Sequence, residues 1–235
     1  MRENTARQRA IVEWFDSMYE RKGLQYLRPL EAYVIFLELL RARSHDTLLD
    51  VGCGPGVLLR AARRYTQRLY GVDVSTVALA QAQADVPEAN VLLANAERLP
   101  YRAETFDLIV CLGSLERMLD VTKALREMHR VGTPRARYCF LVRNSSTFAW
   151  KYLAWMQAKQ RAQGHAGADT LGNWTRLFQL HGFRIAKVLP DQYPLQLKKR
   201  WASLGLRDVD FKRPMLPHTP IERANEFIFL LEKAL

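Results

Sequence analysis

The stretch Leu48-Leu49-Asp50-Val51-Gly52-Cys53-Gly54-Pro55-Gly56-Val57 decides the fold. Residues 47–51 are a short, largely apolar run that ends in glycines. Such a run suits a parallel strand buried on both faces. Glycine then recurs at positions 52, 54 and 56. Glycine accepts positive φ and lets a ligand approach the backbone with no Cβ in the way. From Val57 to residue 65 the pattern is helical. Strand, glycine turn and helix start form one unit of a doubly wound sheet, and such sheets bind ligands just beyond the strand C-termini, where this turn would sit.

Working outward, the same rhythm repeats. A second strand over 68–72 ends at Asp73, and Ser75 can cap a helix over 76–83. Further strands are expected at 90–93, 106–111 and 138–142, with a helix at 121–130. A helix at 171–180, a strand opening at Gly182-Phe183-Arg184-Ile185 and a last strand at 225–232 complete seven strands. Two helices, 6–22 and 28–43, precede them; Leu30, Val34, Leu37 and Leu40 recur at helical spacing in the second. Alternating strands and helices predict a mostly parallel α/β sheet with helices on both faces.

The chain of 235 residues fits one such domain. Two segments break the rhythm. Residues 145–170 hold an aromatic helix, Phe148-Ala149-Trp150-Lys151-Tyr152-Leu153-Ala154-Trp155-Met156, and a loop, Gly164-His165-Ala166-Gly167-Ala168. Residues 191–220 carry Pro194, Pro214, Pro217 and Pro220 and read as an irregular excursion. With the N-terminal helices 6–43, these insertions are expected to form a substrate lid.

Composition narrows the class. No apolar run reaches the ~18 residues of a membrane span, and the first residues lack an apolar signal core, which points to the cytoplasm. Cys53, Cys111 and Cys139 are an odd, widely spaced set, as expected of reduced thiols, and neither CxxC nor HxxxH spacing suggests a metal. The net charge of +11 favours anionic partners such as RNA or lipid head groups. The basic residues are spread along the chain, which disfavours nucleic acid against a basic soluble surface.

Two cofactor classes compete for the glycine turn. A dinucleotide fingerprint is GxGxxG, with the pyrophosphate at the helix N-terminus. Here the third glycine comes one residue early and Val57 stands where that fingerprint has glycine. Asp50 is awkward beside a pyrophosphate but suits an ammonium or sulfonium. Asp73, 21 residues after Gly52, can accept ribose hydroxyls of either cofactor, so it supports a nucleoside without choosing between them.

With these residues in place, the chain resembles the class I S-adenosylmethionine-dependent methyltransferases, in particular their small-molecule and quinone-type branch. The resemblance covers roughly residues 45–143 and rests on four segments in order: 48–56, 70–75, Ala94-Asn95-Ala96-Glu97-Arg98-Leu99-Pro100-Tyr101, and 106–111. It implies a Rossmann-like methyltransferase fold whose last strand is antiparallel. It also implies an S-adenosylmethionine site, with S-adenosylhomocysteine as product. Asp50, Gly52, Cys53 and Gly54 would surround the methionine moiety, Asp73 and Val74 the ribose, and Asn95, Ala96 and Glu97 the adenine. Leu112 and Gly113 would border the sulfonium, and Tyr19 resembles an N-terminal tyrosine that closes over the cofactor. Family members commonly have Asp at the position of Asn95; Asn keeps an acceptor for the adenine amino group and loses the charge.

The acceptor is less constrained. Residues 111–117 (Cys-Leu-Gly-Ser-Leu-Glu-Arg) lack the Asn/Asp-Pro-Pro-aromatic and Pro-Cys signatures, so base or glutamine amino-group methylation and cytosine attack are disfavoured. Many relatives have histidine in this segment. Glu116 and His165 are the candidates for a base, read otherwise as an exposed helix-start acid and a solvated loop histidine. The aromatic run 148–156 with Trp174 is the candidate substrate wall, which suggests a hydrophobic or aromatic small molecule and leaves peripheral membrane contact open. An RNA or protein methyltransferase, a non-catalytic S-adenosylmethionine-binding protein and a nicotinamide dehydrogenase are the alternatives.

Overall fold

A computed structural model describes residues 2–23, 27–147, 168–191 and 220–234. The helices are α1 (Arg2–Lys22), α2 (Glu31–Leu39), α3 (Val57–Ala62), α4 (Thr76–Asp85), α5 (Val121–Val131) and α6 (Leu171–Leu180). The strands are β1 (Thr47–Val51), β2 (Arg68–Asp73), β3 (Asn90–Leu93), β4 (Phe106–Leu112), β5 (Gly132–Arg143), β6 (Phe183–Pro190) and β7 (Glu226–Lys233). They form one sheet in the order β3-β2-β1-β4-β5-β7-β6. All neighbours among β1 to β5 are parallel, whereas β7 is antiparallel to both β5 and β6. The expected doubly wound sheet with an antiparallel last strand is therefore present.

Strand alternation sorts the apolar side chains into two cores. Leu49, Val51, Ile109, Cys111, Tyr138, Phe140, Phe227 and Phe229 lie in one, covered by Leu125 and Met128 of α5 and Phe178 of α6. Leu48, Leu108, Val110, Cys139, Leu141 and Ile228 lie in the other, with Phe36 and Leu37 of α2 and Leu58 and Leu59 of α3. Period-two burial on both faces is why β1 and β4 read as continuous apolar runs. The cysteines are free and buried, and burial pushes the Cys111 thiol well up, so it is a core group.

Boundaries differ from the sequence reading at several places: α1 begins at Arg2, α2 begins at Glu31, α3 ends at Ala62, and two further shifts have a local cause. The second helix ends at Leu39 because Arg41 takes a φ of 52°, a left-handed conformation that stops propagation. β5 starts at Gly132, earlier than expected, because the pairing with β4 slips between Phe106 and Leu108 and carries Pro134 past the ladder. The aromatic run 148–156, His165 and most of the 191–220 excursion lie outside the described residues. Among the described residues, no helix is long and apolar enough to cross a membrane.

Candidate functional site

Chain order reverses between β1 and β4, and the loops after β1, β2 and β4 converge at this switch point. Gly52, Gly54 and Gly56 have φ of 75°, 51° and 75°. The Gly52 and Cys53 amides donate to the Val72 carbonyl at 2.8 and 3.0 Å, folding the loop across the end of β2. Space is as tight as the backbone is unusual. A Cβ at Gly52 would lie 2.5 Å from Ser114 Oγ, and one at Gly54 would lie 2.8 Å from the Tyr19 hydroxyl.

Two acids face this loop. Asp73 accepts from the Gly54 amide at 2.8 Å through Oδ2 and from the Ser75 amide at 2.9 Å through Oδ1. Each oxygen keeps a second lone pair, so two further donors can be accepted. Burial raises the Asp73 pKa, while the amides of Ser75, Gly54 and Val74 pull it down. Asp50 is 3 % exposed and takes no hydrogen bond from any described residue. Burial, reinforced by the charge of Asp73, pushes its carboxyl up to about 8. Such a group is mostly protonated at neutral pH and ionises when a cation arrives beside it.

Two adjoining cavities open over the loop. The first, about 700 Å³, is roofed by Ile11, Val12, Phe15 and Tyr19 of α1 and floored by Gly52, Asp73, Val74, Asn95, Ala96 and Glu97. The second, about 990 Å³, is lined by Asp50, Cys53, Gly54, Leu112 and Gly113, with Tyr33, Phe36, Arg28, Arg143 and Glu226 farther out. Phe15, Tyr19, Gly52, Ser114 and Arg117 belong to both. Every residue the sequence suggested for a cofactor thus borders one of the two. Asn95 spends one acceptor site on the Glu97 amide, at 2.9 Å, and keeps its second lone pair. Glu97 accepts from the Asp120 amide and so also fixes the start of α5.

The acceptor candidates fare differently. Glu116 is not an exposed helix-start acid. It is 2 % exposed, on a 3-10 turn over Leu115–Arg117, and neither side-chain oxygen has a hydrogen-bond partner among the described residues. Its nearest cation is Arg143, with Nε at 3.4 Å, and burial raises its pKa against the pull of Arg143 and Arg117. It borders neither cavity. Trp174 lines neither of these two cavities: it stacks on Phe178, donates its indole N–H to the Arg143 carbonyl and packs in the core. Its helical spacing with Phe178 reads as core as readily as wall.

Three features had no sequence signal. Arg28 grips Asp191 with two bonds, 3.1 and 2.6 Å, and Glu226 with one of 2.5 Å; Glu226 continues to Arg143 and thence Glu116. Ser114 donates to the Gly52 carbonyl at 3.3 Å. Arg117 lies over the rings of Trp14 and Phe15, at 5.9 and 5.3 Å, bracing α1 against the turn after β4.

A family model described as a methyltransferase domain matches residues 49–140. The chain is 31% identical over 150 residues to malonyl-[acyl-carrier protein] O-methyltransferase from Salmonella typhimurium, covering 64% of this chain and 59% of that protein. It is 30% identical over 144 residues to ubiquinone biosynthesis O-methyltransferase from Sodalis glossinidius, covering 59% and 57%. It thus spans less than two thirds of these relatives' length. Among solved structures, a geranyl diphosphate C-methyltransferase from Streptomyces coelicolor A3(2), in complex with Mg2+, geranyl diphosphate and S-adenosyl-L-homocysteine, superposes with a TM-score of 0.70. The superposition covers 97% of this chain and 98% of that one at 14% identity, a likeness of fold.

Proposed function

We propose, from the premise that residues 49–140 belong to the methyltransferase-domain family, that the chain transfers a methyl group from S-adenosylmethionine to a small molecule. The observation that carries this reading is the buried Asp50, which has no hydrogen-bond donor among the described residues, beside a glycine cradle with no room for a side chain. A buried carboxylate there stabilises a cation and repels a pyrophosphate. Asp73 keeps two acceptor sites for ribose hydroxyls, and Asn95, Ala96 and Glu97 would border the adenine. When bound, S-adenosylmethionine supplies an activated methyl group on a sulfonium centre.

The protein's share of the work is then alignment. Leu112 and Gly113 line the larger cavity, at the end of β4. Holding an acceptor against that wall turns a bimolecular reaction into a positioned one, which supplies most of the rate effect. Phe15, Tyr19, Tyr33 and Phe36 give this cavity an aromatic wall, and Arg28, Arg143 and Glu226 give it a charged end. That combination supports an acceptor with an apolar or ring-containing body and a polar group. α1 and α2 cover the site from the N-terminal side. No general base is assigned, because Glu116 does not border the cavity.

Transfer of labelled methyl from S-adenosylmethionine to a panel of a catechol, a malonyl thioester and bulk transfer RNA tests the reading. Label in either small molecule supports it. Label confined to RNA, with steep salt dependence, would move the substrate to nucleic acid. S-adenosylhomocysteine binding without transfer to any acceptor would leave a binding protein.

A further inference from the structure

Among the described residues, α1 meets the domain chiefly at α4. Met18 and Tyr19 form a small cluster with Ala78 of α4, apart from the two main cores, with Trp14, Phe15 and Val77 against it. The face carrying Ile11, Val12 and Phe15 borders the 700 Å³ cavity. An apolar helix face over a cavity gains its full burial only when the cavity is filled.

A polar contact from Asp16 links this helix to the floor of the site. Asp16 accepts a 2.5 Å hydrogen bond from the Ser75 hydroxyl. The same hydroxyl accepts from the Ala78 amide at 3.1 Å and caps α4. The Ser75 amide donates to Asp73, whose other oxygen receives the Gly54 amide, and a Cβ at Gly54 would run into Tyr19. A closed circuit results: Asp16, Ser75, Asp73, Gly54, Tyr19, and back along one turn of α1. Residues three apart on a helix share a face, so Asp16 and Tyr19 meet the domain together.

We infer that Asp16 is a positioning residue, whose bond to Ser75 holds α1 over the two cavities and couples closure of α1 to a ligand held at Asp73. The inference rests on the cofactor reading above, since the ligand at Asp73 is the nucleoside. A ligand shifts α1 only by what it gains in the closed state, and Asp16 sets how much closure costs. Alanine is a better helix former than aspartate, so Asp16→Ala removes the latch without weakening the helix.

Hydrogen exchange of the full chain with and without S-adenosylhomocysteine, together with calorimetric titration, tests this. In the unmodified protein the ligand slows exchange in both α1 and the 52–56 loop. In Asp16→Ala the loop remains protected on binding while α1 exchanges as in the free protein, and Kd rises about tenfold, the scale of one charge-assisted bond. Asp16→Asn, which keeps the acceptor and loses the charge, falls between. Protection of α1 in Asp16→Ala equal to that of the unmodified protein, with Kd within twofold, overturns the latch and leaves the cofactor reading intact. Failure of the unmodified protein to bind S-adenosylhomocysteine overturns both.

Discussion

Asp50 carries the most specific consequence. Its carboxyl sits at about 8 because burial and Asp73 disfavour the charge. A cationic ligand favours the charged form, so binding releases a proton and affinity rises with pH below that value. Calorimetry between pH 6 and 7.5 should show the Kd for S-adenosylhomocysteine falling by up to about tenfold per pH unit, the limit for one coupled proton. Asp50→Asn should bind more weakly and with a flat profile. Gly52 is the second test at this scale. In Gly52→Ala the new Cβ meets Ser114 at a backbone angle that L residues avoid. A lowered melting temperature and loss of S-adenosylhomocysteine binding are expected, whereas Gly172→Ala, in helix α6 where a Cβ meets open space, should leave binding unchanged and the melting temperature equal or higher.

At the scale of elements, the ion chain ties the segment before α2 to the ends of β6 and β7. Arg28 is buried with Asp191 and Glu226, and those acids hold its guanidinium charged against burial. Arg28→Ala removes the guanidinium that these two buried carboxylates share and should cost about 3–5 kcal/mol in chemical denaturation. Asp120 is a milder case: it caps α5 by accepting from the Lys123 amide at 3.0 Å, so Asp120→Ala should cost about 1 kcal/mol. That bond holds the Asp120 carboxyl below its usual range. Its stabilisation is thus present above the ordinary carboxylate pKa and lost as pH falls through the lowered one. These elements also mark where the sequence was readable. The glycine loop, Asp73 and the Ser75 cap declare themselves locally, because backbone angle, strand end and helix start lie within a few residues. The ion chain does not, because Arg28 meets partners 163 and 198 residues away. Glu116 reads as an exposed acid for the same reason: Arg143, beside which it is buried, comes from the end of β5.

Over the whole molecule, the mostly parallel sheet with helices on both faces followed from alternation and apolar runs, and every residue suggested for the cofactor came to border the two joined cavities. The acceptor end was less legible. Its aromatic wall comes from α1 and α2, whose rings are also ordinary helix-packing residues, and Trp174 went to the core instead. The donor site therefore carries the account. The measurement that tests it most directly is calorimetric titration of the unmodified chain and of Asp73→Asn with S-adenosylhomocysteine and, separately, with NAD. One site for S-adenosylhomocysteine is expected, at least tenfold weaker in Asp73→Asn, with no heat from NAD. Binding of NAD in place of S-adenosylhomocysteine, or S-adenosylhomocysteine affinity indifferent to Asp73, would contradict it.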